Sequence, residues 1–372
     1  MKRITIMIKP ASSLCDMRCK YCFYYDVAAR RHEASLGIMP RETAAAILGN
    51  VFGVLTAGDH ITFAFQGGEP TLAGLDYFVF FTETAKELAP KGVRIHYALQ
   101  TNGLTLDAAW ASFFKQHNFL IGLSLDADAA LHNQNRHDAA GKGTHSRVLA
   151  AKKILDKHGV DYNILCVLTS EAARRAKRVW EFIMAENIRH VQFIPCLEPL
   201  DTAGTSLRET AAPALTPAKF HQFYATLFPL WKKEAQKGNV VSIRMFEDLA
   251  GIFLAGQNIT CGMSGRCSPQ MIVEADGGVY PCDFYVLDQY RLADLYRQNL
   301  KDVFEAVAAS SFLKEARENP VQCVGCAYVK WCGGGCKRMA RAVYGTGGET
   351  CGMRAFLDEY LNDLLTTVRG LM

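Results

Sequence analysis

The chain predicts an α/β fold: a partial (β/α)6 barrel over residues 1–235, a bridging stretch over 236–260 and a small metal-supported domain over 261–372. Three observations lead there. Over the first 200 or so residues, short runs rich in β-branched and aromatic residues alternate with helix-length stretches, the pattern of a parallel sheet. Polar and glycine motifs sit where those runs end, and in barrels the working residues lie at the C-terminal ends of the strands. Eleven of the thirteen cysteines fall into two clusters, three near the N-terminus and eight in the last third.

The elements follow in order. A first strand over residues 4–8 delivers the chain into Cys15-x3-Cys19-x2-Cys22. Further strands are expected at 61–65, 94–99, 120–125, 162–168 and 191–194, and helices at 41–54, 75–88, 106–116, 148–157 and 172–186. The strand ends carry Gln66-Gly67-Gly68-Glu69-Pro70, Gln100-Thr101-Asn102-Gly103, Ser124-Leu125-Asp126 and Pro195-Cys196-Leu197. Residues 201–216 turn to Thr, Ala, Ser and Pro and read as a linker, after which 217–236 reads as a helix with Pro217 near its start. No repeat of solenoid period is present.

Composition bounds the class. A length of 372 residues suits one large domain plus a smaller one. With 49% hydrophobic and 21% charged residues the chain reads as an ordinary soluble protein, neither disordered nor membrane-spanning. Forty-one basic residues interleave with thirty-seven acidic ones for a net charge of +4, so no broad nucleic-acid surface is implied. The basic pair Arg30 and Arg31 reads as a solvated loop. Lys2 and Arg3 precede an apolar run too short for a secretory signal, and no apolar stretch is long enough to span a bilayer. Thirteen cysteines without an export signal argue for metal ligation in a reducing cytoplasm, not for disulfides.

The cysteine counts carry chemistry. Structural zinc wants four tetrahedral ligands, so a lone triplet suits it poorly. A 4Fe–4S cube held by three thiolates keeps one iron open to a substrate or cofactor. Gly67 and Gly68 after a strand let backbone come close to a ligand, although alone they mark only a turn. The second set is Cys261-x5-Cys267-x14-Cys282, then Cys323-x2-Cys326-x5-Cys332-x3-Cys336-x14-Cys351. Eight thiolates fill two four-ligand cluster sites or, equally, two zinc knuckles. Cys166 lies in an apolar strand and reads as core. Cys196 stands at a strand end, where packing is favoured over a role in lining a site. His132 and His137 read as solvated loop residues without a role. Asp283 follows Cys282 directly. A carboxylate beside a cluster can accept a proton as an electron leaves toward iron, while its everyday use is to cap a turn.

Cys15-x3-Cys19-x2-Cys22 with Phe23 and Tyr24, together with Gly67-Gly68-Glu69-Pro70, resembles the radical S-adenosylmethionine (SAM) superfamily. The spacing from Cys323 to Cys336, with Gly277-x4-Cys282, resembles the SPASM extension that carries two auxiliary clusters. Those features, Ser124-Leu125-Asp126, Cys196-Leu197 with Pro199, and the run 279–288 together resemble the anaerobic sulfatase-maturating enzymes over nearly the whole chain.

The resemblance implies SAM and three 4Fe–4S clusters as cofactors. The first cluster takes Cys15, Cys19 and Cys22. One auxiliary cluster takes Cys261, Cys267, Cys282 and Cys336, and the other takes Cys323, Cys326, Cys332 and Cys351. SAM contacts fall on Tyr24, Gly68, Ser124, Arg136 and Leu197, Gln66 lies near the substrate peptide, and Asp283 is the proton acceptor. Ala127-Asp128 stands where Gly and Pro usually follow, so Arg147 competes with Arg136 as the charged partner of SAM.

The implied reaction abstracts a hydrogen atom from Cβ of Cys or Ser in a sulfatase. Loss of a proton and an electron, and hydrolysis in the cysteine case, then give Cα-formylglycine. The implied partners are a sulfatase polypeptide carrying Cys/Ser-x-Pro-x-Arg and a flavodoxin- or ferredoxin-like electron donor. A SPASM maturase that cross-links or epimerises another ribosomal peptide is the nearest alternative. Many of those carry a peptide-recognition domain ahead of the barrel, and this chain starts its first strand by residue 4. A non-catalytic iron–sulfur or zinc scaffold explains neither the triplet nor the glycine turn.

Overall fold

The computed structural model describes residues 1–200, 214–257, 260–315 and 321–371. The expected linker at 201–216 therefore lies almost wholly outside the described residues. Six strands run parallel in chain order: β1 (Arg3–Ile8), β2 (His60–Phe65), β3 (Arg94–Thr101), β4 (Phe119–Ser124), β5 (Tyr162–Leu168) and β6 (His190–Pro195). Helices Arg41–Phe52, Leu75–Leu88, Ala108–Gln116 and His145–His158 connect them, close to the expected spans. The stretch expected as one helix at 172–186 is two, Ser170–Arg174 and Ala176–Ala185. Arg175 leaves helical geometry at φ −112° and ψ 28°.

The pleat assigns the two faces of the sheet. In β2, Ile61, Phe63 and Phe65 are fully buried while His60, Thr62 and Ala64 are only half-buried. The buried set meets the outer helices: Phe65 packs edge-on to Phe78 and Phe81 at 5.0 Å, and Phe63 to Phe81 at 5.2 Å. Such pairs add about 0.5–1.5 kcal/mol each beyond area burial. A parallel sheet covered on both faces would read as continuously apolar. The half-buried alternate positions mark a lumen that side chains do not fill.

The sheet does not stop at β6. Beyond it comes β7 (Ser242–Ile243), and at the opposite edge β1 is joined by β8 (Met271–Val273), β9 (Gly278–Tyr280) and β10 (Ala293–Asp294), giving ten strands in one sheet. β8 is parallel to β1, and the β8–β9–β10 ribbon is antiparallel. The sequence reading ended the strands at 194, because segments of two or three residues show no alternation. The last helix, Gly352–Leu371, packs on helix Pro217–Ala235, with Phe228 5.3 Å from Tyr360 and Tyr224 5.9 Å from Phe356. Thr216 caps the latter helix by accepting a hydrogen bond from the Lys219 amide, with Pro217 in the first turn.

Candidate active site

Period-two geometry in the strands aims one row of side chains into the lumen. Extending Thr5 and Met7 by one step reaches Lys9; extending Thr62 and Ala64 reaches Gln66; β3 and β4 contribute Gln100 and Ser124. These residues line a cavity of about 160 Å³ at the C-terminal ends of the strands. Cys15, Cys19, Cys22, Tyr24, Gly68, Arg136, Leu197 and Asp283 share its wall, so the residues assigned to the first cluster, to SAM, to the peptide and to proton transfer all face one space. Cys196, fully buried, lines it too, and Cys166 is buried in the core.

The glycine turn is clamped to the cysteine loop. Gly67 and Gly68 adopt φ of +117° and +54°. A Cβ on Gly68 would stand 2.2 Å from the Leu14 carbonyl oxygen and one on Gly67 2.7 Å from the Lys9 side chain. The Glu69 amide donates to that Leu14 carbonyl at 2.7 Å. The buried Glu69 carboxylate accepts from the Asn102 amide at 2.7 Å and from the hydroxyls of Thr71 and Thr101 at 2.6 and 2.8 Å, tying β2 to β3. Burial raises its pKa to about 6, against the pull of those hydrogen bonds. Asn102 then reaches the loop itself, donating to Asp16 at 2.6 Å with Cys15 Sγ at 3.9 Å.

At the end of β4, Asp126 is the hub. Arg136 donates to both its oxygens at 3.0 Å, the Val167 amide donates at 2.9 Å, and the Tyr21 hydroxyl donates as well. Burial pushes this carboxyl upward, but the charge and hydrogen bonds of Arg136, with the Tyr21 hydroxyl, together hold it below the ordinary range. Arg136 thus lines the cavity with two nitrogens committed to Asp126. Arg147, its sequence-level competitor, pairs with Asp138 at 3.1 Å in an exposed position and does not line the cavity.

His132, read from the sequence as a solvated loop residue, is instead fully buried. Its Nδ1 accepts from the Asp126 amide at 3.2 Å and its Nε2 meets Thr144 Oγ1 at 3.0 Å. Burial, helped by Arg136, drives its pKa down to about 3. An unfolded histidine titrates near 6.5, so the neutral folded ring contributes stability above that pH and loses it as the pH falls toward about 3. Moving from pH 7.5 to 5 should cost about 2 kcal/mol through this residue alone. Denaturant titrations of the wild type and His132→Gln at the two pH values should differ by that amount, and parallel losses would refute the assignment.

Two buried carboxylates of the C-terminal ribbon close the open edge of the barrel. Asp283 Oδ1 lies 2.5 Å from Lys9 Nζ, whose side chain is fully buried, and Oδ2 accepts from Gln66 Nε2 at 2.8 Å. Glu274, also fully buried, takes Arg31 at 2.6 Å and the Tyr24 hydroxyl. Lys9 Nζ rests 4.0 Å from the centre of the Tyr24 ring. Arg31 is therefore a buried ion-pair member and not a solvated loop residue; its partner lies 243 positions away, which no local reading reveals. Lys9 was missed because it stands one residue beyond the expected strand, although strand parity points to it.

The eight C-terminal cysteines of the two clusters line two cavities. Cys261, Cys267, Cys282 and Cys336 line one cavity, of about 830 Å³, which also touches Asp283. Cys323, Cys326, Cys332 and Cys351 line another. Cys336 crosses back to the earlier ligands, and Gly262 allows it: a Cβ there would be 2.8 Å from Cys336 Cβ. Among the described residues no three His, Cys, Asp or Glu converge tightly enough for a single metal ion. The Cys261 set instead lines a broad cavity, while the Cys323 set closes around a void of about 10 Å³. Burial pushes the Cys15 thiol up to about 12 and the Cys261 thiol to about 11. Sets made wholly of cysteine thiols are the donors that iron–sulfur clusters take, so the residues present fit them.

The radical SAM superfamily profile matches residues 10–178, and the SPASM iron–sulfur cluster-binding domain matches 261–327. The chain is 38% identical over 338 residues to the cysteine-type anaerobic sulfatase-maturating enzyme of Clostridium novyi, spanning 91% of this chain and 89% of that one. It is 31% identical over 334 residues to the serine-type enzyme of Klebsiella aerogenes, spanning 89% and 79%. A solved structure of native anSMEcpe with bound AdoMet and Cp18Cys peptide superposes with a TM-score of 0.88 at 35% identity, covering all of both chains. The partial barrel, the shared cavity and the three thiol sets thus agree with sequence kinship along nearly the whole length: this chain belongs to the anaerobic sulfatase-maturating enzymes of the radical SAM superfamily.

Proposed function

We propose that this chain oxidises a cysteine or serine side chain of a sulfatase polypeptide to Cα-formylglycine. The observation that carries the reading is Asp283: it follows a thiol of one auxiliary set, enters the barrel cavity, and is held there by Lys9 and Gln66. Identity to cysteine-type relatives exceeds that to serine-type ones, which makes cysteine the first target to test.

When bound at Cys15, Cys19 and Cys22, the cluster and SAM together supply a radical able to abstract a hydrogen atom. The protein's own work is placement. Gly67 and Gly68 bring backbone to the cavity, with Tyr24, Ser124, Arg136 and Leu197 around it as SAM contacts. Gln66 and Asp283 face the same space from the β1–β2 side, where Gln66 meets the peptide and Asp283 takes the proton lost from the substrate thiol or hydroxyl. Cys282 places an auxiliary ligand next to that base. The polypeptide motif is Cys/Ser-x-Pro-x-Arg, the electron donor is a flavodoxin- or ferredoxin-like protein, and the setting is the cytoplasm. No helix among the described residues is long and apolar enough to cross a membrane.

Mass spectrometry tests this on peptides carrying Cys-x-Pro-x-Arg or Ser-x-Pro-x-Arg, incubated anaerobically with reconstituted enzyme, SAM and reductant. An aldehyde at the Cys or Ser position is expected. Asp283→Asn should still form 5′-deoxyadenosine while product falls by about 100-fold or more. Unchanged product removes Asp283 from the mechanism. SAM cleavage with both peptides intact moves the assignment to the ribosomal-peptide maturases.

A further inference from the structure

We infer that Lys9 is the positioning residue of this site: it anchors Asp283 Oδ1 and so leaves Oδ2 as the atom that takes the substrate proton. The inference rests on the assignment of Asp283 above and goes beyond it by naming the anchor and the accepting atom.

The geometry is specific. Asp283 opens a three-residue turn, Asp283–Tyr285, in the connection between β9 and β10. Its orientation comes from the barrel. Lys9 Nζ holds Oδ1 at 2.5 Å, and Gln66 Nε2 holds Oδ2 at 2.8 Å. The two partners differ in permanence. The Lys9 side chain is fully buried and packed over Tyr24, its backbone amide is bonded to Val273 at 2.9 Å, and among the described residues no other carboxylate is bonded to its ammonium. Withdrawing Lys9 would strand a buried cation, which is strongly unfavourable. Gln66 is neutral and half-buried, and its amide can exchange one acceptor for another at little cost. A peptide entering the cavity therefore competes for Gln66 and not for Lys9. Oδ1 stays fixed and Oδ2 is released toward the substrate. The proton then passes from the substrate sulfur or oxygen to Oδ2, and no bond to Lys9 is made or broken.

The test compares Lys9→Met, Lys9→Arg and Lys9→Met/Asp283→Asn, each in the cluster-loaded full chain. The double variant removes both buried charges, so its fold does not depend on an unpaired carboxylate. Lys9→Met should keep SAM binding and 5′-deoxyadenosine formation within about 2-fold, and keep KM for the peptide. Its kcat for formylglycine should fall by about 10- to 100-fold, with uncoupled SAM cleavage. Lys9→Arg should recover part of the lost kcat. The double variant should be no worse than Asp283→Asn alone, since the two residues act as one unit.

If Lys9→Met turns over peptide as the wild type does, or loses peptide affinity with kcat intact, Lys9 is not the anchor. Full loss of both 5′-deoxyadenosine and iron in the single and double variants would make Lys9 a folding residue, which also overturns the inference. Should Asp283→Asn itself be fully active, the prior assignment fails, and that result is distinct from any Lys9 outcome.

Discussion

Alanine at Cys15, Cys19 and Cys22 together should abolish SAM cleavage and leave roughly two-thirds of the iron in place, since three clusters of four irons become two. The cause is separation. The triplet occupies the barrel cavity, and the eight remaining ligand thiols line two other cavities. The loop has its own scaffold: the Leu14 carbonyl receives the Glu69 amide at 2.7 Å, the Arg18 amide donates to the His137 carbonyl at 2.7 Å, and the Lys20 amide donates to the Asn135 carbonyl at 2.9 Å. Removing three thiols deletes ligands without deleting those bonds. Iron content per chain and 5′-deoxyadenosine yield decide it. Loss of all iron would show that the three sites are not independent, and residual SAM cleavage would show that the triplet is not its seat.

The second large effect is on stability. Asp126→Ala should cost about 3–5 kcal/mol, because it leaves Arg136 as a buried charge without its counterion and orphans the Val167 amide. Both residues of the pair are almost fully buried, so solvent offers little compensation. Asp126→Asn, which keeps an acceptor for Val167, should cost less. The pH profile follows the same pair. The folded carboxyl sits below its ordinary range, so its contribution is present above about pH 4 and disappears as the pH falls through the depressed value. Denaturant midpoints of the two variants against wild type at neutral pH provide the measurement; a loss under 1 kcal/mol for Asp126→Ala would contradict the hub role.

The barrel strands and the chemistry of the triplet were legible because each is local. A strand of six residues shows its alternation, and Cys15-x3-Cys19-x2-Cys22 fits in one loop. The ion pairs that hold the site were not legible, for a common reason. Asp283 and Lys9 are 274 positions apart, and Glu274 and Arg31 are 243 apart. Neither pair exists until β8 docks beside β1, and β8 is a three-residue strand with no sequence pattern of its own. His132 was misjudged for a similar reason: its burial follows from the packing of helix Ala129–Asn135 against helix His145–His158, not from its neighbours in sequence. The parity of β1 would have exposed Lys9 had the strand been carried one residue further.

The pairing of β8 with β1 also bears on how the chain is made. Between Ile6 and its partner Met271 lies most of the polypeptide. At ordinary rates of synthesis, β1 emerges and pairs with β2, then waits on the order of tens of seconds before its other edge is covered. Throughout that interval a row of unpaired amides and carbonyls, flanked by Ile6 and Ile8, is open to any other extended strand. The earliest strand made is completed by one of the latest. A chain ending before Met271 would carry that open edge permanently, so aggregation of truncated or stalled products is built into the topology of this barrel.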